Sequence, residues 1–162
     1  MIKREFYMAR IRPFIDGDLI KVLTGIRRSG KSVMLELIKD ELRVRGVTEE
    51  QLVAFNFEDM RNAQLCTAEA LHDELVRRAA SIKGKIYFFF DEIQEVERWE
   101  RCVNSLRVEM DCDIYITGSN AKLLSGELAT YLAGRYVEFI IYPFSFSEFL
   151  ALYHSVEPDA DT

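Results

Sequence analysis

Absent from this chain of 162 residues is any apolar run able to cross a bilayer. The longest, over 86–90, falls far short of the about 20 residues that a membrane helix needs. The basic start at Lys3 and Arg4 has no apolar stretch behind it, so no secretory leader is read there. Cysteine is scarce. Cys66, Cys102 and Cys112 form no C-x-x-C pair, and His72 and His154 stand apart from them, which excludes a zinc-ligand pattern and a disulfide framework. Free thiols suit a reducing compartment, and a cytoplasmic protein is expected. Excess positive charge is also missing: 21 Lys and Arg against 27 Asp and Glu leave a net charge of -6. No chain-wide field therefore draws in nucleic acid, and such a partner is not indicated by this segment. Internal repeats and low-complexity tracts are absent as well. With 49% hydrophobic and 30% charged residues, the profile is that of one ordinary globular domain with a buried core.

What the chain does have is the octapeptide GIRRSGKS at 25–32, which satisfies G-x-x-x-x-G-K-[ST]. An apolar strand-like run over 19–23 precedes it and a helix-like run over 33–38 follows, the context the motif requires. Gly25 and Gly30 allow the backbone to approach a ligand closely, so that the N–H groups of Ile26, Arg27, Arg28, Ser29 and Gly30 can turn onto phosphates. The helix that opens at Lys31, Ser32 and Val33 adds free N–H groups and the positive end of its dipole. Lys31 is expected on the β- and γ-phosphates and the Ser32 hydroxyl on Mg²⁺. ATP and Mg²⁺ are the expected ligands. A glycine turn between strand and helix is the structural alternative.

Periodicity divides the rest into alternating helices and strands. Phe6, Ala9, Arg10 and Phe14 lie near helical spacing over 3–15, with Pro13 ending or kinking the helix and Phe6 and Tyr7 assigned to the core. The helix after the phosphate loop runs to about Arg45, with Gly46 as its stop. A second, largely buried strand spans 52–57. Thr67 caps a helix whose inward face is Ala70, Leu71, Leu75, Val76 and Ala79. The continuous apolar run at 86–90 reads as a central parallel strand covered on both faces, ending at Asp91-Glu92. Trp99, Cys102, Val103 and Leu106 give the next helix its buried face. A strand at 114–116 leads into Thr117-Gly118-Ser119-Asn120; a helix follows around 123–132, a fifth strand at 136–141, and a short helix at 145–153. Alternation of this kind implies an α/β fold with a mostly parallel five-stranded sheet and right-handed crossovers. The expected domain is 1–155, with 156–162 as an acidic tail or linker.

Ligands of open α/β sheets bind outside the carboxyl ends of the strands. Gly25, Asp91 and the Ser119-Asn120 pair all follow expected strands, so the fold should gather them at one edge. Asp91 is placed to hold the Mg²⁺ shell, and Glu92 to act as general base on a water attacking the γ-phosphate. A solvated helix cap is the alternative for that acidic pair.

GIRRSGKS, FFFDE and ITGSN, in that order, resemble Walker A, Walker B and the polar sensor of AAA-type P-loop ATPases. The longer stretches IKVLTGIRRSGKSVML, FFFDEIQEVERWE, ITGSNAKLLSG and LAGRYVEFIIYPFSFSEFL are similar to a bacterial and archaeal ATPase family with a C-terminal nuclease-like domain of unknown function. The resemblance runs from about Arg10 to Leu150. It implies a three-layer P-loop NTPase fold of the AAA type, with Asp91 on magnesium, Glu92 catalytic and Asn120 or Ser119 contacting the γ-phosphate. It makes Asn56 the amide that restrains the catalytic glutamate, or else a buried amide bonded to backbone. It makes Arg135 an arginine reaching a γ-phosphate of its own or a neighbouring site, or else a strand-start ion pair. The helical lid and the C-terminal half of that family are missing before Thr162, so a portion of a longer protein is expected.

A GTPase is disfavoured, since no D-x-x-G follows Asp91-Glu92 and Asn120-Ala121-Lys122-Leu123 is not N-K-x-D. A small-molecule kinase has no need of Glu92 beside the magnesium carboxylate, and a helicase needs two such domains. ATP hydrolysis that drives or gates a C-terminal domain, a homo-oligomer or a protein partner is the leading expectation. An ATP-gated interaction module with little turnover is the alternative.

Overall fold

The computed structural model describes residues 2–26, 29–119, 123 and 130–143. Five strands, β1 (Ile20–Thr24), β2 (Leu52–Asn56), β3 (Ile86–Asp91), β4 (Cys112–Gly118) and β5 (Tyr136–Ile140), form one sheet in the order β2-β3-β4-β1-β5. Every pairing is parallel. Among the described residues, the helices α1 (Ile2–Ile11), α2 (Lys31–Val44), α3 (Ala68–Ala79) and α4 (Trp99–Glu109) pack on it.

Two-residue alternation along the strands sorts the core into two layers. On β3, Phe88 and Phe90 join Leu71, Leu75, Trp99, Cys102, Val103 and Leu106 from α3 and α4. Tyr87 and Phe89 point the other way, into the layer with Tyr7, Met8 and Ile11 of α1 and Met34, Leu35, Ile38 and Leu42 of α2. A strand flanked on both faces must be apolar throughout, which is why 86–90 carries no polar alternation. The architecture is the expected three-layer α/β fold.

Three expectations change in detail. The second strand is an edge strand whose Ala54 and Asn56 are exposed while Val53 and Phe55 pack inward, because helices cover only one of its faces there. Phe6, assigned to the core, is 59% exposed, whereas Tyr7 is buried as expected; the stripe α1 buries runs through Tyr7, Met8 and Ile11, on a different face from Phe6. Val76 likewise lies outside the buried stripe of α3, which runs through Ala68, Leu71 and Leu75. A turn of 3-10 helix over Met60–Leu65 had no counterpart in the sequence pattern. The short helix expected at 145–153, the tail at 156–162 and most of the helix at 123–132 lie outside the described residues.

A polar network closes the amino end of the sheet. The fully buried Lys21 ammonium donates to Asp113 at 2.5 Å and to the Gly17 carbonyl at 2.8 Å. Asp113 also accepts from the Tyr115 hydroxyl at 2.6 Å and from the Asp16 N–H at 2.9 Å, and the Tyr87 hydroxyl donates to Asp16 at 2.6 Å. Burial lowers the pKa of Lys21 and, with the neighbouring carboxylates, raises those of Tyr87 and Tyr115. Five side chains thereby tie β1, β3, β4 and the loop that feeds β1. Among the described residues no helix is long and apolar enough to cross a membrane.

Candidate nucleotide site

Parallel pairing brings the carboxyl ends of β3, β4 and β1 side by side, and the loops leaving them meet there. From β1 the chain turns sharply at Gly25. A Cβ at that position would stand deep inside contact distance of the Ile141 carbonyl oxygen and 2.7 Å from the Ser29 hydroxyl, so only glycine lets the loop pass beneath the exit of β5. Gly30 closes the loop at φ 99°, in the left-handed region that favours glycine, and serves as N-cap of α2. Having no side chain, it leaves the first N–H groups of α2 uncapped, and no acidic residue stands in that first turn. The Ser29 hydroxyl is fully buried and has no hydrogen-bond partner. An open helix N-terminus, an orphaned hydroxyl and a buried ammonium are the donors a phosphate chain requires, so the loop fits an anion of that kind.

Lys31 is 4% exposed and its ammonium is held in place by three internal acceptors: the Gly25 carbonyl at 2.7 Å, the Gly118 carbonyl at 3.4 Å and Glu92 Oε1 at 3.4 Å. One residue on, the Ser32 hydroxyl donates to Asp91 Oδ2 at 2.7 Å. Adjacent oxygens of an octahedral Mg²⁺ shell stand about 2.9 Å apart, given metal–oxygen distances near 2.1 Å. The Ser32–Asp91 pair already has nearly that spacing, so the two residues fit a shared magnesium.

Thr117, buried on β4, organises the acidic pair. Its hydroxyl donates to Asp91 Oδ1 at 2.5 Å and accepts the Glu92 N–H at 2.9 Å. Glu92 itself adopts the left-handed conformation, φ 56° and ψ 53°, uncommon for a side-chain-bearing residue and characteristic of functional sites. That twist turns its carboxylate towards Lys31, while its other oxygen accepts from Gln94 Nε2 at 2.9 Å. Thr117 and Gln94 carry no signal in the phosphate-loop motif. A threonine at the end of an otherwise apolar strand, and a glutamine two residues after the acidic pair, were the traces available.

The structure thus brings Gly25, Ser29, Gly30, Lys31, Ser32, Asp91 and Glu92 to one edge, with Ile26 and Val33 exposed beside them. Arg27, Arg28 and Asn120 lie outside the described residues, and Ser119 contributes its carbonyl to the Leu123 N–H at 3.0 Å. Asn56 pairs in register with Asp91 on the neighbouring strand. Its amide oxygen accepts the Glu58 N–H at 3.0 Å and its carbonyl accepts from Asn62 and Asp59, so it knits the turn leaving β2. Arg135 immediately precedes β5. Its carbonyl accepts the N–H of Ile20, the first residue of β1, and its guanidinium donates to Asn104 on α4 at 3.2 Å. That places it at the amino end of the sheet, roughly 15 Å of strand away from Gly25, and out of reach of a phosphate in its own site.

The fold and the site define a P-loop NTPase of the three-layer α/β type. Residues 18–150 match a family model described as AAA domain (AAA_14), and the chain belongs to this family of AAA-type P-loop ATPases. An uncharacterised protein of Haemophilus influenzae is 50% identical over 150 residues, covering 93% of this chain and 38% of that protein. A second, from Methanocaldococcus jannaschii, is 40% identical over 132 residues, 81% of this chain and 28% of its own length. The chain therefore spans less than two fifths of either relative. Among solved structures, the Aeropyrum pernix ORC1 protein in complex with DNA superposes with a TM-score of 0.62 at 14% identity, over 94% of this chain and 48% of that one, a likeness of fold.

Proposed function

We propose that this domain binds ATP with Mg²⁺ and hydrolyses it to ADP and phosphate, the change of state driving or gating a partner segment. The observation that carries this is the meeting of Lys31, Ser32, Asp91 and Glu92 at one sheet edge, Ser32 and Asp91 2.7 Å apart and Lys31 and Glu92 3.4 Å apart. A bound magnesium would neutralise charge on the phosphates, held by Ser32 and Asp91. The phosphate loop and the start of α2 orient the phosphate chain through backbone N–H groups. Lys31 exchanges its internal acceptors for phosphate oxygens, and Glu92, released from it, takes a proton from the attacking water.

Lys31→Ala is expected to abolish ATP binding, and Glu92→Gln to retain binding while slowing steady-state turnover by about 100-fold or more, the ordinary size of a general-base effect. Equilibrium binding and phosphate release measured on both variants decide it; unchanged turnover in Glu92→Gln removes that residue from the chemistry. Adenine is the proposed base, and equal competition by GTP counts against it. A second proposal is an ATP-gated module with little turnover. Its support is the set of three internal acceptors on Lys31, which makes nucleotide binding itself a rearrangement. Tight binding with negligible phosphate release in the unaltered chain selects it.

We further propose a reducing, cytoplasmic setting, in keeping with three free cysteines, Cys102 pushed up to about 12 and Cys112 to about 11 by burial. The partner belongs to the additional length of the relatives or to a second copy. In an oligomer, Arg135 contacts a neighbour's phosphates only if the amino end of one sheet meets the carboxyl end of the next.

A further inference from the structure

Among the described residues, Gln94 and Ser29 each hold a buried polar side-chain atom that goes unpartnered, and that of Gln94 lies beside the acidic pair. Its Nε2 donates to Glu92 Oε2 at 2.9 Å, while its Oε1 is buried and meets no donor. Burying an unpaired carbonyl destabilises the fold, so a methionine of similar length would serve it better. A residue that stability alone would replace is accounted for by what its other end does.

The surroundings fix the amide rigidly. Ile93 and Val96 are fully buried and anchor the 3-10 turn Ile93–Glu95 on which Gln94 rides. A Cβ on Gly118 would stand 2.5 Å from Gln94 Oε1, so the glycine at the end of β4 leaves the space that the amide fills. The Gly118 carbonyl in turn accepts from Lys31 at 3.4 Å. Lys31 is thus joined to Glu92 and to the Gly118 carbonyl, and Glu92 to Gln94, whose amide lies against Gly118; the Lys31–Glu92 contact is the ion pair among them. A phosphate that took Lys31 would break the Lys31–Glu92 contact and leave Glu92 held by Gln94 through one oxygen.

We infer that Gln94 is a positioning residue that holds the Glu92 carboxylate in place once phosphate has taken Lys31. This rests on the proposed hydrolytic role of Glu92. The test is steady-state ATP hydrolysis, ATP affinity and thermal midpoint for the 162-residue chain, with Gln94→Met, Glu92→Gln and the double variant. Gln94→Met is expected to lower kcat about tenfold or more, with KM and ATP affinity within about twofold and the thermal midpoint unchanged or raised. In the Glu92→Gln background the same substitution is expected to change the residual rate by less than about twofold, because its effect passes through the carboxylate. Unchanged kcat in Gln94→Met beside a slow Glu92→Gln overturns the assignment and leaves the hydrolytic role standing. Equal losses in both backgrounds, or a lowered midpoint with a matching fall in binding, also overturn it by marking a structural role. Equal rates in the unaltered chain and Glu92→Gln overturn the hydrolytic role, and the assignment with it.

Discussion

Replacing Thr117 with valine removes one hydroxyl and two bonds: the donation to Asp91 and the acceptance of the Glu92 N–H. The orphaned N–H of Glu92 costs about 1–3 kcal/mol, and the left-handed backbone there loses a brace. Thr117→Val is expected to lower the thermal midpoint by several degrees and to slow phosphate release, both measurable on one preparation. Residues such as Lys31, Ser32 and Asp91 were legible in the sequence because phosphate and magnesium chemistry dictates their type and spacing. Thr117 and Gln94 were not, because each acts through a neighbour brought close only by the β3–β4 pairing. Asn56 was left open for the converse reason: a polar residue at a strand end looks the same whether it faces the site or bonds its own turn, and here its amide oxygen takes the backbone N–H of Glu58.

Among the elements, α3 offers the cleanest check on local signals. Thr67 Oγ1 accepts the Ala70 N–H at 3.2 Å, the N-cap expected from its chemistry. Thr67→Ala is expected to cost about 1 kcal/mol, read as a shift in the chemical denaturation midpoint without change in slope. The buried face of α4 and the glycine stop of α2 were equally legible; Gly46 sits at φ 99° and the Val47 N–H reaches back to the Leu42 carbonyl at 3.0 Å. Which strand would be an edge was not, since Leu52–Asn56 is as apolar as a central strand and only the sheet order exposes Ala54 and Asn56. Phe6 illustrates the same limit on helices: a few residues near one spacing leave open which stripe faces inward.

For the molecule as a whole, the two ends of the sheet are built differently. The carboxyl end carries the site, while the amino end is locked by Lys21 and Asp113, both almost fully buried. Asp113→Ala leaves a buried ammonium uncompensated and is expected to cost about 3–5 kcal/mol in equilibrium unfolding, whereas Lys21→Met combined with Asp113→Leu should cost much less. Neither residue stood out in the sequence, because a lysine in a strand reads as solvent-facing until the fold closes over it. The strand order has one more consequence, in the timing of synthesis. β1 leaves the ribosome before both its partners, β4 and β5, which are encoded at 112–118 and 136–140. At ordinary translation speeds the loop at 25–32 therefore waits roughly 4–18 s for the first strand beside it. Until then the nascent chain holds a finished phosphate-binding sequence with no sheet to hang it on, exposed to whatever chaperones meet it first.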